Sequence, residues 1–417
     1  MHWFAAMFLL LLISSTALRS WLNQRQIAAV TAHQDRVPEA FARQIDLDSH
    51  RKAAHYTVAL ANLNRWDILL DTLIVLLLTF GGGLDAIDRL WQRTQLPELL
   101  QGTAVVLSML ILMSAITLPL SVYRTFGIET RFGFNRTTPG LFVADLCKGL
   151  ALTLLLGGPL VYLVLFLMQR AGDLWWLYAW LVWIAVALLA GWAWPTLLAP
   201  LFNKFTPLAD ESLQRRTEAL LDRCGFSSNG VFVMDGSRRS AHGNAYFTGI
   251  GRSKRIVFFD TLIERLNETQ IEAVLAHELG HFRLHHVRRR LFSSMAVGLG
   301  AFAVLGALAV WPEFYSAFGI STPSVHTALL LFMLILPTFT FLVTPLGAWW
   351  SRKHEFEADE FASRFANAGE LADALVTLYR DNATSLTPDP LHSAFYDSHP
   401  PALTRIARLR QLDAHPA

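Results

Sequence analysis

Seven stretches of this chain are long and apolar enough to cross a lipid bilayer, and no water-soluble fold can hide that many. They are residues 3–18, 66–84, 103–122, 141–168, 174–194, 291–311 and 325–350. A spanning helix takes about 20 mostly apolar residues at about 1.5 Å each. Composition agrees: 53% of the chain is hydrophobic and only 16% is charged, where an ordinary soluble domain carries about 25%. The first run is the shortest. A secretory signal opens with basic residues, and Met1-His2-Trp3 has none, so this run is read as a retained anchor helix.

Charge placement tests the seven-span reading. If the spans alternate, segments 19–65, 123–140, 197–290 and 351–417 share one side. Of the 35 Lys and Arg, the opposite side holds only Arg89, Arg93 and Arg170, and Lys148 lies within a span. Basic loops stay in the cytoplasm, so the basic side is cytoplasmic. The net charge of +2 gives no polyanion a handle, which argues against a nucleic-acid partner. Cys147 and Cys224 are too far apart and too few for a disulfide framework or a cysteine metal site. The chain then divides into an N-terminal membrane region, 1–196, holding spans 1–5 and an amphipathic helical connector at 19–64. A cytoplasmic part follows at 197–290, then spans 6 and 7 at 291–350, then a C-terminal cytoplasmic part at 351–417. Within 197–290 a helical pattern at 213–224 precedes short strand-like runs at 231–234, 244–248 and 256–259. Residues 351–417 read as helical at both ends with a polar loop between.

The residues that carry chemistry begin with His277-Glu278-Leu279-Gly280-His281. Residues 267–290 read as one helix, opened by the capping pair Asn267 and Gln270. One helical turn separates His277 from His281, so both imidazoles share a face. Two histidines so placed can hold one Zn²⁺ at about 2.0–2.1 Å. Glu278 projects beside the open position, where it can take a proton from water whose pKa the metal lowers from about 15.7 to about 7. A catalytic zinc needs a third protein ligand. If 351–359 continues the last span as a helix, Glu355 and Asp359 lie on one face beside Ala358 and Ala362. Glu355 is then favoured as the third ligand, with Asp359 on the second nitrogen of a ligand histidine. His285 is the rival, but three histidines along one straight helix stretch over about 11 Å.

With these motifs the sequence resembles the type I CAAX prenyl proteases, integral-membrane zinc metalloproteases of the gluzincin group. Matching segments run in order over most of the chain. They are Leu118-Pro119 to Tyr123 with Glu129, Phe132-Gly133-Phe134-Asn135 and Thr138; Pro200-Leu201-Phe202-Asn203-Lys204-Phe205-Thr206-Pro207-Leu208; and Arg239-Ser240, His242 and Asn244-Ala245-Tyr246-Phe247. His277 to His281, Glu355 to Asp359, and His399-Pro400-Pro401 with Arg405 complete the series. Gly243 stands where the family pattern has a serine. The resemblance implies a mainly α fold in which seven transmembrane helices form a barrel around a water-filled chamber. A cytoplasmic zincin-like domain with a small β element carries the site. It implies one Zn²⁺ per chain on His277, His281 and Glu355, with Asp359 behind a ligand. It also implies a substrate-edge strand in which Asn244 and Ala245, with Tyr246 beside them, hold the peptide backbone. His399 and Arg405 become candidates to stabilise the oxyanion of the attacked carbonyl.

These readings converge on an endopeptidase acting near the C-terminus of a membrane-associated peptide, prenylated in the family's pattern. Its partners are then the peptide and the bilayer, in a bacterial inner membrane or, in a eukaryote, the endoplasmic reticulum. A heat-shock-type quality-control membrane protease shares the zinc motif but has fewer spans. A channel or transporter with a structural zinc would normally close the site with four protein ligands, and only three are found here.

Overall fold

This computed structural model describes residues 2–226, 230–248 and 255–414. Helix α1 (Trp3–His33) and α2 (Leu47–Leu78) are about 46–48 Å long at 1.5 Å per residue, well beyond the roughly 30 Å hydrocarbon core. The segment expected as a separate connector at 19–64 is therefore mostly the continuation of two span helices, with only a short link near 34–46. Asn23 Nδ2 donates to the Ala61 carbonyl at 2.8 Å, and the Thr16 and Thr72 hydroxyls meet at 2.9 Å, stitching the pair together. Asp46 caps α2 by accepting from Ser49 N at 2.7 Å. At Gly82, whose φ of 71° suits a residue without Cβ, the chain bends by 54° into α3 (Gly83–Gln92).

Among the described residues six helices are individually long and apolar enough to span a membrane, and the bent α2–α3 pair makes a seventh if it is one span. Helix α4 (Glu98–Val122) holds Pro119 and continues as a π-helical stretch through Glu129. Helix α5 (Pro139–Leu152) passes through another π stretch, Thr153–Gly157, into α6 (Gly158–Arg170), and α7 (Trp175–Ala193) follows. Pro119 and Pro337 thus lie inside their helices without ending them, and Pro159 lies just after a π stretch, where shifted turns can satisfy the backbone groups that proline leaves unpaired. At one end of the bundle α3 buries Asp88, which pairs with His326 at 2.9 Å and accepts from Gln92 at 2.8 Å. Asp85 accepts from the Ser321 hydroxyl at 2.6 Å. The membrane core is apolar, with Phe8, Met109, Leu165 and Leu331 fully buried.

The other end carries the compact polar domain. Strand β1 (Phe205–Pro207) was not foreseen. After it come α8 (Glu211–Arg223), β2 (Val231–Met234), β3 (Ala245–Thr248) and β4 (Arg255–Phe259). The sheet order is β1-β2-β4-β3, with β2 parallel to β4 and both outer pairs antiparallel. β3 is therefore an open edge. A short α9 (Asp260–Ile263) leads to α10 (Glu268–Arg283), which starts at the expected capping box: Gln270 N donates to Asn267 Oδ1, and Asn267 N donates back to Gln270 Oε1. Its Ile271, Val274, Leu275 and Leu279 bury against Phe258 of β4 and against later helices. Each such fully buried side chain contributes about 1.5–3 kcal/mol.

The single helix expected over 267–290 is two. Helix α10 ends at Arg283, His285 takes a left-handed φ of 62°, and α11 (His286–Ala309) enters the membrane in a new direction. After α12 (Pro312–Ser316) and α13 (Val325–Thr340), α14 (Thr344–Phe365) returns to the polar domain. Its apolar part ends at Trp350, and from Ser351 it is polar and outside the spanning segment. The loop expected after it holds α15 (Ala368–Asp381), before α16 (Pro390–Tyr396) and α17 (Ala402–Ala414).

Helices α10 and α14 touch where both are small. A methyl group on Gly280 would sit 3.0 Å from Ala358 Cα and 3.1 Å from its carbonyl oxygen. Gly280→Ala should therefore cost about 1–3 kcal/mol through overpacking. It should lower the thermal midpoint of the purified protein, whereas Gly347→Ala, at an open position on α14, should not. Equal midpoints for the two variants would show that the helices part freely.

Candidate metal centre

The contact between α10 and α14 brings the two halves of the sequence motif together. His277 Nε2 and His281 Nε2 lie 3.2 Å apart. Glu355 Oε2 is 3.4 Å from the first and Glu355 Oε1 is 3.2 Å from the second. Ligands about 2.0–2.1 Å from a tetrahedral ion stand about 3.3 Å from one another, so the two imidazole nitrogens match two corners of such a site, and the Glu355 carboxylate, which approaches each nitrogen through a different oxygen, offers the third. Among the described residues Glu355 Oε2 is buried without a hydrogen-bond partner, and the cationic Arg405 guanidinium lies 3.3 Å from it. Two imidazoles and one carboxylate form a donor set that suits a divalent transition metal. His285, the rival ligand, is exposed on the break between the helices and belongs to no such group.

The surrounding groups fix this arrangement. Asp359 Oδ1 accepts from His277 Nδ1 at 2.8 Å, which turns Nε2 toward the other two atoms. Arg405 of α17 is buried. Its Nε and Nη2 grip both oxygens of Asp359 at 2.9 and 2.7 Å, and Nη1 lies 3.3 Å from Glu355 Oε2. Burial pushes the Asp359 carboxyl up, but the Arg405 charge and the His277 hydrogen bond outweigh it and hold the group at about 2. Burial also raises Glu355, and hydrogen bonds from His277 and His281 pull it well below the ordinary carboxylate range. Burial and the Arg405 charge lower the proton affinity of His277, and its bonds to Asp359 and Glu355 reverse this, to about 9. The carboxylates of Asp359 and Glu355 beside His277 set a negative field at the site that a cation would share.

Glu278 is half-buried and lines a cavity of about 920 Å³ that runs along the site. It makes no hydrogen bond or ion pair with another side chain among the described residues, and burial raises its pKa. His399 is exposed to the same cavity, with Nε2 3.6 Å from Glu355 Oε1 and Nδ1 3.0 Å from the Ser398 hydroxyl. The remaining walls come from the protruding parts of α1 and α2, through Gln26, Tyr56 and Leu60, and from α15, through Leu375.

The edge strand packs against α10, and its register sorts the expected substrate residues. Phe259 N donates to the Asn244 carbonyl at 3.0 Å, so the Asn244 backbone faces β4. By the two-residue alternation of an antiparallel pair, the backbone groups of Ala245 point to the open edge. The Ala245 N–H donates to Asn244 Oδ1 at 2.8 Å, so the Asn244 side chain occupies that donor of the edge. Asn244, just ahead of β3, and Ala245 line the cavity, but Tyr246 does not. Its side chain packs toward Met234 and Phe259, on the strand face opposite Ala245. Gly243 is clasped by Asn382, which donates to its carbonyl at 3.3 Å and accepts from its N–H at 3.1 Å. A side chain at Gly243 would make only ordinary contacts, so the departure from the serine leaves the strand in place. Asn382 went unnoticed in the sequence, because no periodicity marks a side chain that bonds the backbone 139 residues away.

The Asp359 bond predicts an acid dependence. Its pKa lies below the ordinary 3.8, so the stabilisation is complete above about pH 4 and is lost as pH falls through about 2. At about 1.4 kcal/mol per unit this is worth ~2 kcal/mol. Asp359→Asn should lower the thermal midpoint at pH 6, and the gap to the parent should close between pH 4 and 2. A gap independent of pH would show that the carboxylate charge is not the stabilising feature.

Residues 26–204 match the family described as CAAX prenyl protease N-terminal, five membrane helices, and residues 207–413 match Peptidase family M48. A CAAX prenyl protease 1 homolog of Arabidopsis thaliana is 40% identical over 300 residues, covering 71% of this chain and 69% of that one. The human CAAX prenyl protease 1 homolog is 32% identical across 94% of this chain and 92% of its own. The crystal structure of S. mikatae Ste24p superposes with a TM-score of 0.91 at 29% identity, covering 98% of this chain and 99% of that one. Family, fold and motif agree: the chain belongs to Peptidase family M48 and is a multi-pass membrane metalloprotease.

Proposed function

We propose that this protein is a zinc endopeptidase that cuts near the C-terminus of CAAX-type, membrane-associated peptides on the cytoplasmic side of the membrane. The observation that carries the reading is the triangle of His277 Nε2, His281 Nε2 and Glu355 at tetrahedral spacing, open on the side where Glu278 meets the cavity. When bound there, zinc supplies a Lewis acid that polarises a carbonyl and makes water acidic near neutral pH.

The chain's own groups supply the rest. Glu278, with its proton affinity raised by burial, accepts the proton of the attacking water and passes it to the leaving amine. Asp359 holds His277 in one tautomer. Arg405 offsets the buried charges of Asp359 and Glu355, and its fork is occupied in doing so. It therefore acts as a positioning residue, which leaves His399, exposed at the rim, as the donor for the oxyanion. The edge of β3 at Ala245 holds the substrate extended, the substrate taking over the Ala245 N–H that Asn244 Oδ1 accepts from in its absence. CAAX-type substrates are supported by the relatives that bear that name and by a cavity whose wall mixes polar groups with Leu60, Leu371 and Leu375. Contact with lipid is supported by outward apolar side chains on the span helices, such as Leu155, Val297 and Leu346. The cytoplasmic side is supported by the placement of Lys and Arg.

Glu278→Gln should keep zinc by elemental analysis and lose at least about 10²-fold in peptide cleavage. Purified protein should cut a farnesylated CAAX peptide at the bond after the prenylated cysteine or close to it, as read by product mass. A Glu278→Gln variant that cuts at the parent rate would remove Glu278 from the chemistry. Cleavage indifferent to the prenyl group would broaden the substrate to membrane peptides in general.

A further inference from the structure

His281 has a second ring nitrogen, and the hydrolysis chemistry leaves it unused. Its Nδ1 lies 3.0 Å from Nδ1 of His286. His286 is buried, and its Nε2 lies 2.9 Å from Glu357 Oε2, with Arg289 Nη1 3.8 Å from that same oxygen. The ring of His354 lies flat against His286, centroids 4.0 Å apart and planes 9° apart.

Proton accounting leaves one solution. An imidazole that ligates through Nε2 carries its hydrogen on Nδ1, so His281 must donate there. His286 Nδ1 must then accept, which puts the hydrogen of His286 on Nε2, where Glu357 accepts it. Every donor in the chain finds an acceptor. The helix break makes this possible. On an unbroken helix a residue five positions on lies well round from His281, but the left-handed turn at His285 restarts the chain and carries His286 back beneath it.

We propose that His286 and Glu357 form a positioning relay that fixes the tautomer and ring orientation of His281, as Asp359 does directly for His277. The inference rests on the metal-site reading above. A second ion on His286, His354 and Glu357, whose ligand atoms lie within 4.8 Å of one another, fits less well. Both nitrogens of His286 are engaged, and two parallel rings aim their lone pairs side by side instead of at one point. His354 makes no hydrogen bond with either nitrogen and serves as a stacking slab.

The test uses full-length protein in detergent, with zinc retention measured against a graded chelator and the visible spectrum of the Co²⁺-substituted form as a report on ligand geometry. His286→Ala and Glu357→Gln should each weaken zinc retention, His286→Ala by about 10–100-fold, and should shift the Co²⁺ bands. His286→Gln, whose amide oxygen can accept from His281, should recover part of the loss. His354→Phe, which keeps the stack, should retain zinc within about 2-fold of the parent. The relay is overturned by parent-like retention and spectrum in folded His286→Ala, by an equal loss in His354→Phe, or by two metal equivalents per chain falling to one in His286→Ala. His277→Ala separates the two readings. If it loses zinc while His286→Ala does not, the relay alone fails, and if it binds like the parent, the metal site itself is misplaced.

Discussion

The close passage of α10 against α14 at Gly280 and Ala358 is the constraint on which the rest of the structure depends. It sets two imidazoles and a carboxylate from helices separated in sequence by two membrane spans within 3.4 Å of one another. It also buries two carboxylates side by side, and burial of unpaired charge costs several kcal/mol per ion. Arg405 meets that cost with a bidentate grip on Asp359 and a third nitrogen toward Glu355. Each member is tolerable only because the others are present, so the cluster works as one unit.

The membrane helices are part of this mechanism as well as its anchor. α11 leaves the bilayer directly into the relay beside His281, and α14 leaves it directly into Glu355. The packing of the spans therefore sets the angle at which the ligands meet. The overlong α1 and α2 project past the bilayer and wall the cavity with Gln26, Tyr56 and Leu60. Arg25 ties α1 to Asp389 just ahead of α16 at 2.9 Å, so the cavity wall and the C-terminal helices hold each other in place.

Much of this was legible in the chain. Apolar runs marked the spans, the capping pair at Asn267 marked the start of the metal-site helix, and the spacing of His277, His281, Glu355 and Asp359 marked their faces. These signals are local: they depend on propensity and periodicity within a turn or two. The errors are equally instructive. Nothing local separates a helix that stops at the membrane surface from one that runs on, so α1 and α2 were cut short. The break at His285 has no glycine or proline to announce it. Which face the Tyr246 side chain takes was not legible either, because strand register depends on partners elsewhere in the chain.

By itself, then, the sequence determined that the chain is a membrane protein, where its apolar spans lie, and which short motifs carry candidate metal-ligating side chains, because hydrophobic length and helical phase are properties of a segment. Only the tertiary structure decided that Asp359 serves His277 while His286 and Glu357 lie behind His281, that Arg405 spends its fork on carboxylates, and that the Ala245 backbone faces away from β4. Those assignments rest on distances between groups tens to hundreds of residues apart, and such distances are fixed by packing, which no single segment contains.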